Sequence, residues 1–210
     1  MQYLSFIISF IFLSLSQTAI GAENSVEKIL ILGDSLSAAH NIPVEKSWPE
    51  LFSTSIKSSF PHLSVVNASI SGETTFGGIQ RLHKLLTQYE PSHLIIELGG
   101  NDGLRGLDFS QTTENLSQMV EMALQNNTSV LLIGVRLPPN LGVAYNQRFQ
   151  QIFENISTRH QIFYLPRFLE GVAGGDSSMM QNDGIHPSVI AQPVLAGKVF
   201  NAMLELLSQK

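Results

Sequence analysis

Lys28-Ile29-Leu30-Ile31-Leu32-Gly33-Asp34-Ser35-Leu36-Ser37 joins an unbroken aliphatic run to a turn of small and polar residues. A strand without polar alternation is covered on both faces, as strands inside a parallel sheet are. The same order, apolar run and then loop, starts at residues 28–32 and returns at 63–68, 93–98, 129–135 and 162–165. Helical patterns separate these runs. Ser47-Trp48-Pro49-Glu50 has the form of a capping box, with the serine accepting backbone N–H bonds and the glutamate reaching back. Ile79, Leu82, Leu85, Leu86 and Tyr89 fall on one helical face, Leu116, Met119, Val120 and Leu124 repeat that spacing, and residues 188–208 form a closing helix. Strands alternating with helices predict the α/β class: three α/β/α layers around a central five-stranded parallel sheet.

An open parallel sheet places its site at the carboxyl ends of the strands. Each chemically loaded segment follows a strand: Gly33-Asp34-Ser35 after the first, Ser69 to Thr75 after the second, and Gly99-Gly100-Asn101-Asp102-Gly103 after the third. Asp183-Gly184-Ile185-His186-Pro187 lies between the last strand and the last helix. Ser35, directly after a buried strand and at the mouth of a helix, would expose its hydroxyl and keep its backbone N–H free for an oxyanion. A neutral hydroxyl needs a base, and the base needs a partner that fixes its tautomer. Of the six histidines, His186 is the best placed base, with Asp183 close enough in the same loop to orient it. Taken singly, each feature has a plainer reading. Gly-Asp-Ser can be a turn with a cap, Asn101 and Gly72 can serve left-handed turns, and an Asp-x-x-His spacing is weak evidence of catalysis. Their joint occurrence after successive strands favours the chemical reading.

Composition narrows the chemistry further. The 210 residues suit one domain, and 12 Lys+Arg against 17 Asp+Glu leave a net charge of -5 with no basic cluster. Nucleic acid is therefore not an expected partner. The chain has no cysteine, which removes disulfides, thiol nucleophiles and thiolate metal sites together. Residues 1–22 carry no charged side chain, and residues 4–15 are apolar apart from serines. That length suits a signal-peptide core better than a membrane span. Ala19, Gly21 and Ala22 offer cleavage after residue 21 or 22, although no Lys or Arg precedes the core. The expectation is a signal peptide over 1–22, a single domain over 23–210, export to the periplasm or beyond, and no stable membrane anchor after cleavage.

The loaded segments together resemble the SGNH (GDSL) hydrolase family, and within it the exported bacterial branch with thioesterase, arylesterase and lysophospholipase activities. The resemblance is carried by Ile29-Leu30-Ile31-Leu32-Gly33-Asp34-Ser35-Leu36-Ser37-Ala38, by Val65-Val66-Asn67-Ala68-Ser69-Ile70-Ser71-Gly72, and by Glu97-Leu98-Gly99-Gly100-Asn101-Asp102-Gly103-Leu104-Arg105-Gly106. Arg136-Leu137-Pro138 and Asp183-Gly184-Ile185-His186-Pro187 continue it in order. It implies the flavodoxin-like fold of that family, and a serine esterase with Ser35 as nucleophile, His186 as base and Asp183 orienting it. It also implies an oxyanion hole from the N–H groups of Ser35 and Gly72 and the amide of Asn101. No metal and no organic cofactor is implied. The Gly-x-Ser-x-Gly elbow of the α/β-hydrolases is absent, since Ser37 occupies the position of its second glycine.

The expected substrate is a small-molecule acyl ester or thioester, and the protein is expected to be a monomer. In the resembled enzymes the loop after the Asn101 block lines the acyl groove. Leu104, Leu107, Leu137 and Pro138 are accordingly the expected acyl contacts, with Phe76 a further candidate. An alternative within the class is a carbohydrate or small-acetyl esterase with the same catalytic blocks. A non-catalytic module of the fold would have lost one of those residues, and a nucleotide-binding flavodoxin-like protein gives the Asp183–His186 pair no role.

Overall fold

The computed structural model describes residues 26–174 and 176–209, so the expected signal peptide lies outside the described residues. Five strands form one sheet in the order β2-β1-β3-β4-β5: β1 (Glu27–Gly33), β2 (Leu63–Asn67), β3 (His93–Glu97), β4 (Ser129–Ile133) and β5 (Phe163–Leu165). All neighbouring pairs are parallel. The helices are α1 (Trp48–Ser59), α2 (Thr75–Tyr89), α3 (Gly100–Leu104), α4 (Phe109–Gln125), α5 (Val143–His160) and α6 (Gln192–Leu207).

β1 shows why its aliphatic run had to be a central strand. Ile29 and Ile31 face Trp48, Phe52 and Ile56 of α1 and Leu195, Val199 and Met203 of α6. Leu30 and Leu32 face Leu82 and Leu86 of α2, with Leu116, Met119 and Val120 of α4 behind them. All four β1 side chains are fully buried, and each such burial is worth about 1.5–3 kcal/mol. A polar residue at any of them would meet an apolar layer whichever way it pointed. Among the described residues, Val189–Leu207 is long and apolar enough to cross a membrane, but Leu195, Val199, Met203 and Leu206 spend that apolarity on the core.

Three expectations change. The capping box does not form: Ser47 is at the N-cap, but its Oγ donates to the Val44 carbonyl (2.6 Å), which a preceding 3-10 turn presents to it. The Trp48 N–H instead donates to Gln192 Oε1 of α6 (2.9 Å). Leu124 is exposed, and Ala123 takes the buried position on α4. α5 was not anticipated; its buried Phe149, Ile152, Phe153 and Ile156 form a narrow stripe in an otherwise polar segment.

The strand order reverses between β1 and β3, since the chain leaves β1 for β2 on one side and returns to β3 on the other. That reversal opens a crevice at the carboxyl ends of the two strands. Ser35 follows one wall of it and Asn101 the other.

Candidate active site

The turn after β1 is built around Asp34. Its Oδ1 accepts the Leu36 N–H (3.0 Å), and its carbonyl accepts the N–H groups of Ser37 and Ala38 (3.2 and 2.9 Å). Among the described residues no acceptor takes the Ser35 N–H. The expected helix after Ser35 is absent: residues 35–40 form turns, and α1 begins only at Trp48. The N–H is thus freed by a local side-chain bond and not by a helix terminus. Gly33 allows this turn to close, because a Cβ there would lie 2.7 Å from Ser37 Oγ and 2.9 Å from Ser69 Oγ. Trp48 Nε1 donates to the Leu36 carbonyl (3.0 Å), tying the turn to α1.

Beneath the turn lie two buried carboxyl groups. Glu97, at the end of β3, accepts from Ser37 Oγ (2.7 Å), and its Oε1 has no hydrogen-bond partner among the described residues. Burial, followed by repulsion from Asp34, pushes its pKa well above the ordinary glutamate range. Burial also raises Asp34, to about 6, against the opposing donations from the Leu36 N–H and the Asn101 amide. Both shifts favour the neutral form of these carboxyls, and burial is the first cause in each.

The loops after β2 and β3 meet this turn. Asn101 Nδ2 donates to Asp34 Oδ2 (3.0 Å), which aims the amide nitrogen at the mouth of the Ser35 turn. Arg105 Nη2 donates to the Gly72 carbonyl (3.0 Å), linking the two loops. Gly72 has φ +81°, a left-handed angle that glycine adopts without a Cβ penalty, and no acceptor among the described residues takes its N–H. Glu73 and Arg81 pair at 2.7 Å, and Arg81 Nη1 donates to the Ala68 carbonyl (2.6 Å), bracing the loop from below.

From the far end of the chain comes His186. Its Nε2 lies 2.8 Å from Ser35 Oγ, and its Nδ1 lies 2.7 Å from Asp183 Oδ2. With a carboxylate on Nδ1 the neutral ring keeps its proton there, so Nε2 accepts from the serine hydroxyl. Asp183 Oδ1 in turn accepts the N–H groups of Ile185 (2.9 Å) and His186 (3.0 Å). Burial alone would raise Asp183, but these donations and the imidazole outweigh it and hold the carboxyl at about 2. Asp176, the other acid of that region, is occupied in capping the Ser178 N–H (2.9 Å).

A cavity of about 600 Å³ opens beside Ser35. Leu104, Leu137 and Pro138 line it, as expected. Leu107 does not: it lies with Phe76 in a separate recess over α2 and α4. Gly106, at φ +67°, turns the chain away between Leu104 and Leu107. Val135, Leu169, Met180 and Ile185 line the cavity as well, and none of them was among the expected acyl contacts. Their lack of helical or strand periodicity hid them, because most lie in irregular loops.

Comparison with known proteins agrees with this architecture. An arylesterase of Vibrio mimicus is 40% identical over 186 residues, 89% of this chain and 92% of its own length. The thioesterase 1/protease 1/lysophospholipase L1 of Escherichia coli K12 is 42% identical over 172 residues, 82% of this chain and 81% of its own. The crystal structure of the psychrotrophic esterase EstA from Pseudoalteromonas sp., inhibited by monoethylphosphonate, aligns with a TM-score of 0.82 at 38% identity, covering 87% of this chain and 99% of that one. The match to the GDSL-like Lipase/Acylhydrolase family runs through residues 31–192, taking in every loop at the crevice, and the chain is a hydrolase belonging to that family.

Proposed function

We propose that the protein hydrolyses carboxylic esters and thioesters through an acyl-enzyme on Ser35. The observation that carries this reading is the unbroken relay from Ser35 Oγ to His186 Nε2 (2.8 Å) and from His186 Nδ1 to Asp183 (2.7 Å), at the mouth of an apolar cavity. Ser35 Oγ attacks the substrate carbonyl carbon as His186 Nε2 takes its proton. Negative charge moves to the carbonyl oxygen, within reach of the Ser35 and Gly72 N–H groups and the remaining Asn101 amide hydrogen. Collapse of this adduct expels the alcohol or thiol, which receives the proton from His186. Water then repeats the sequence: it gives a proton to Nε2, attacks the acyl carbon, and releases the acid as the proton returns to Ser35. Asp183 stays ionised throughout and holds the imidazolium, consistent with its lowered pKa.

Ester and thioester carbonyls form the same oxyanion, so a site whose main contacts go to that oxygen accepts both. The acyl chain is the group that the cavity can discriminate. Its apolar wall supports aryl esters, lysophospholipids and acyl-CoA as substrates, in preference to acetylated carbohydrate. The names of the relatives, arylesterase and thioesterase 1/protease 1/lysophospholipase L1, point the same way. The protein acts as an exported monomer without a lasting membrane anchor, so coenzyme A thioesters are accepted chemically but seldom met.

A kinetic panel of p-nitrophenyl esters and acyl-CoA thioesters from two to sixteen carbons tests the reading, with Ser35→Ala as control. Both series should be turned over by the wild type, with kcat/KM rising from acetyl to medium-chain groups. A strict preference for acetyl would move the assignment to the carbohydrate-esterase alternative.

A further inference from the structure

His40 has no part in the chemistry above, yet it lies directly against it. Its ring centroid is 4.2 Å from that of His186, with the rings tilted by 35°. The approach is built into the fold by Gln181. Its Nε2 donates to the carbonyls of His40 (3.0 Å) and Pro187 (3.1 Å), and its backbone N–H donates to the His186 carbonyl (2.8 Å). One side chain thereby ties the loop after β1 to the loop that carries Asp183 and His186. Asn41 Nδ2 lies 3.1 Å from His40 Nε2 and steadies the ring.

Among the described residues, His40, Asp183 and His186 form a group whose potential metal-ligating atoms all lie within 4.8 Å of one another. Two imidazoles and a carboxylate are a donor set suited to zinc, whose ligand bonds run about 2.0–2.2 Å. Ligands around such an ion stand about 3.4 Å apart, so binding requires the half-buried His40 ring to reorient toward the ion and the 2.7 Å hydrogen bond between Asp183 and His186 to open around it. Asp183 is exposed, with its side chain 38% accessible. It borders a shallow polar recess shared with Asn41, Gln181 and Asn182, which gives an ion access without passing through the acyl cavity.

We propose that His40, Asp183 and His186 constitute an inhibitory site for a divalent transition metal, with Zn2+ as the best-matched ion. The proposal rests on the reading of His186 as the base. In the resting relay the imidazole proton sits on Nδ1 and the Nε2 lone pair faces Ser35. An ion coordinated at Nδ1 uses the lone pair of that nitrogen, so the single proton of the neutral ring must sit on Nε2. No proton is gained or lost; it has changed nitrogen. The N–H now facing Ser35 Oγ cannot accept the serine proton, and the nucleophile is silenced while the cavity stays open. The ion replaces the proton that Nδ1 shares with Asp183 Oδ2 across 2.7 Å, that oxygen moves back to become the second ligand, and His40 adds the third. The metal acts as an inhibitor and not as a cofactor.

The test is a ZnCl2 titration of ester hydrolysis by the wild type and by His40→Phe, which keeps a ring against His186 but offers no ligand. Calorimetric titration of ZnCl2 into Ser35→Ala and into Ser35→Ala/His40→Phe gives a readout independent of turnover. The expected result is one ion bound per chain and near-complete inhibition, reversed by EDTA. His40 also lines the cavity, so inhibition is read against each variant's own zinc-free rate; in His40→Phe the zinc affinity and inhibitory potency should both fall by at least about tenfold. His40→Gln should repeat the loss should the phenylalanine variant fold poorly. Equal zinc inhibition with and without His40, or no binding heat that depends on it, would overturn the site. A wild type that turned over no ester would instead overturn the proposed function, and calorimetry would still decide the metal site.

Discussion

In the proposed reaction Asn101 and Asp183 act by different means, and their variants should fail differently. Asn101→Ala removes a donor needed mainly once charge has moved to the carbonyl oxygen, so it should cost about 3 kcal/mol in transition-state stabilisation. The loss should appear as a lower kcat in steady-state kinetics, with KM nearly unchanged; a rise confined to KM would make Asn101 a binding or turn residue. Asp183→Asn keeps the shape but offers His186 a side chain that no longer fixes the Nδ1–H tautomer, and kcat should fall by about 10³–10⁴-fold. Thermal unfolding of that variant at neutral pH should show only a small loss, because Asp183 is exposed and asparagine keeps an oxygen for the Ile185 and His186 N–H groups. Its carboxyl is depressed in the folded state to about 2. Its contribution to stability is therefore present above the ordinary aspartate value of about 3.9 and is lost as pH falls toward 2. Should Asp183→Asn behave as wild type while Asp176→Asn is inactive, the orienting acid has been misassigned.

Among the elements, the ends of β1 and β3 hold the stability cost of the site. Glu97 is buried with a carboxyl raised well above its unfolded value. A raised carboxylic acid stabilises the fold at low pH, and that contribution is lost as pH climbs from about 4.3, the unfolded value, toward the folded one. Glu97→Gln removes this proton linkage while retaining an acceptor for Ser37 Oγ. Melting temperatures measured from pH 5 to 9 should decline less steeply in the variant, and parallel curves would show that Glu97 does not titrate in this way. Along the cavity wall, Leu104 is exposed and Leu137 is buried. Each methylene of an acyl chain sheltered there is worth up to about 0.8 kcal/mol. Leu104→Ala should flatten the rise of kcat/KM with chain length without lowering stability. Leu137→Ala should flatten it too, but at a cost of about 2–5 kcal/mol in unfolding free energy, since its side chain also packs against Gly103. A steep chain-length profile kept by both variants would place the acyl group elsewhere.

Across the whole molecule, what could be read from sequence tracks how local its physical cause is. β1, β3 and β4 were legible because burial on both faces leaves an apolar run that needs no partner to be recognised. Ser35, Asn101 and His186 followed from the rule that sites gather at carboxyl ends of strands. α5 was missed because its apolar stripe is narrow and its first residue, Val143, is 74% exposed. Leu107 lies outside the Ser35 cavity because the direction of its loop depends on one backbone angle at Gly106, which residue type permits but does not dictate. The neighbourhood of His40 was invisible for a related reason: Ala39 and Asn41 both take φ of 56°, and Gln181, 141 positions away in sequence, closes the contact. The N-terminal segment is a separate question. Fractionation of the native host should recover a mature chain beginning near residue 22 or 23 outside the cytoplasm, and a full-length, membrane-embedded chain would contradict the export reading.

The covalent step is tested most directly by mass spectrometry of protein treated with a phosphonate ester that mimics the tetrahedral adduct. One adduct per chain is expected, on the peptide containing Ser35, with loss of activity in step with labelling. Ser35→Ala should take no label and lose several orders of magnitude of activity while melting like the wild type. Label on another serine, or a Ser35→Ala protein retaining more than a small fraction of wild-type turnover, would contradict the covalent step.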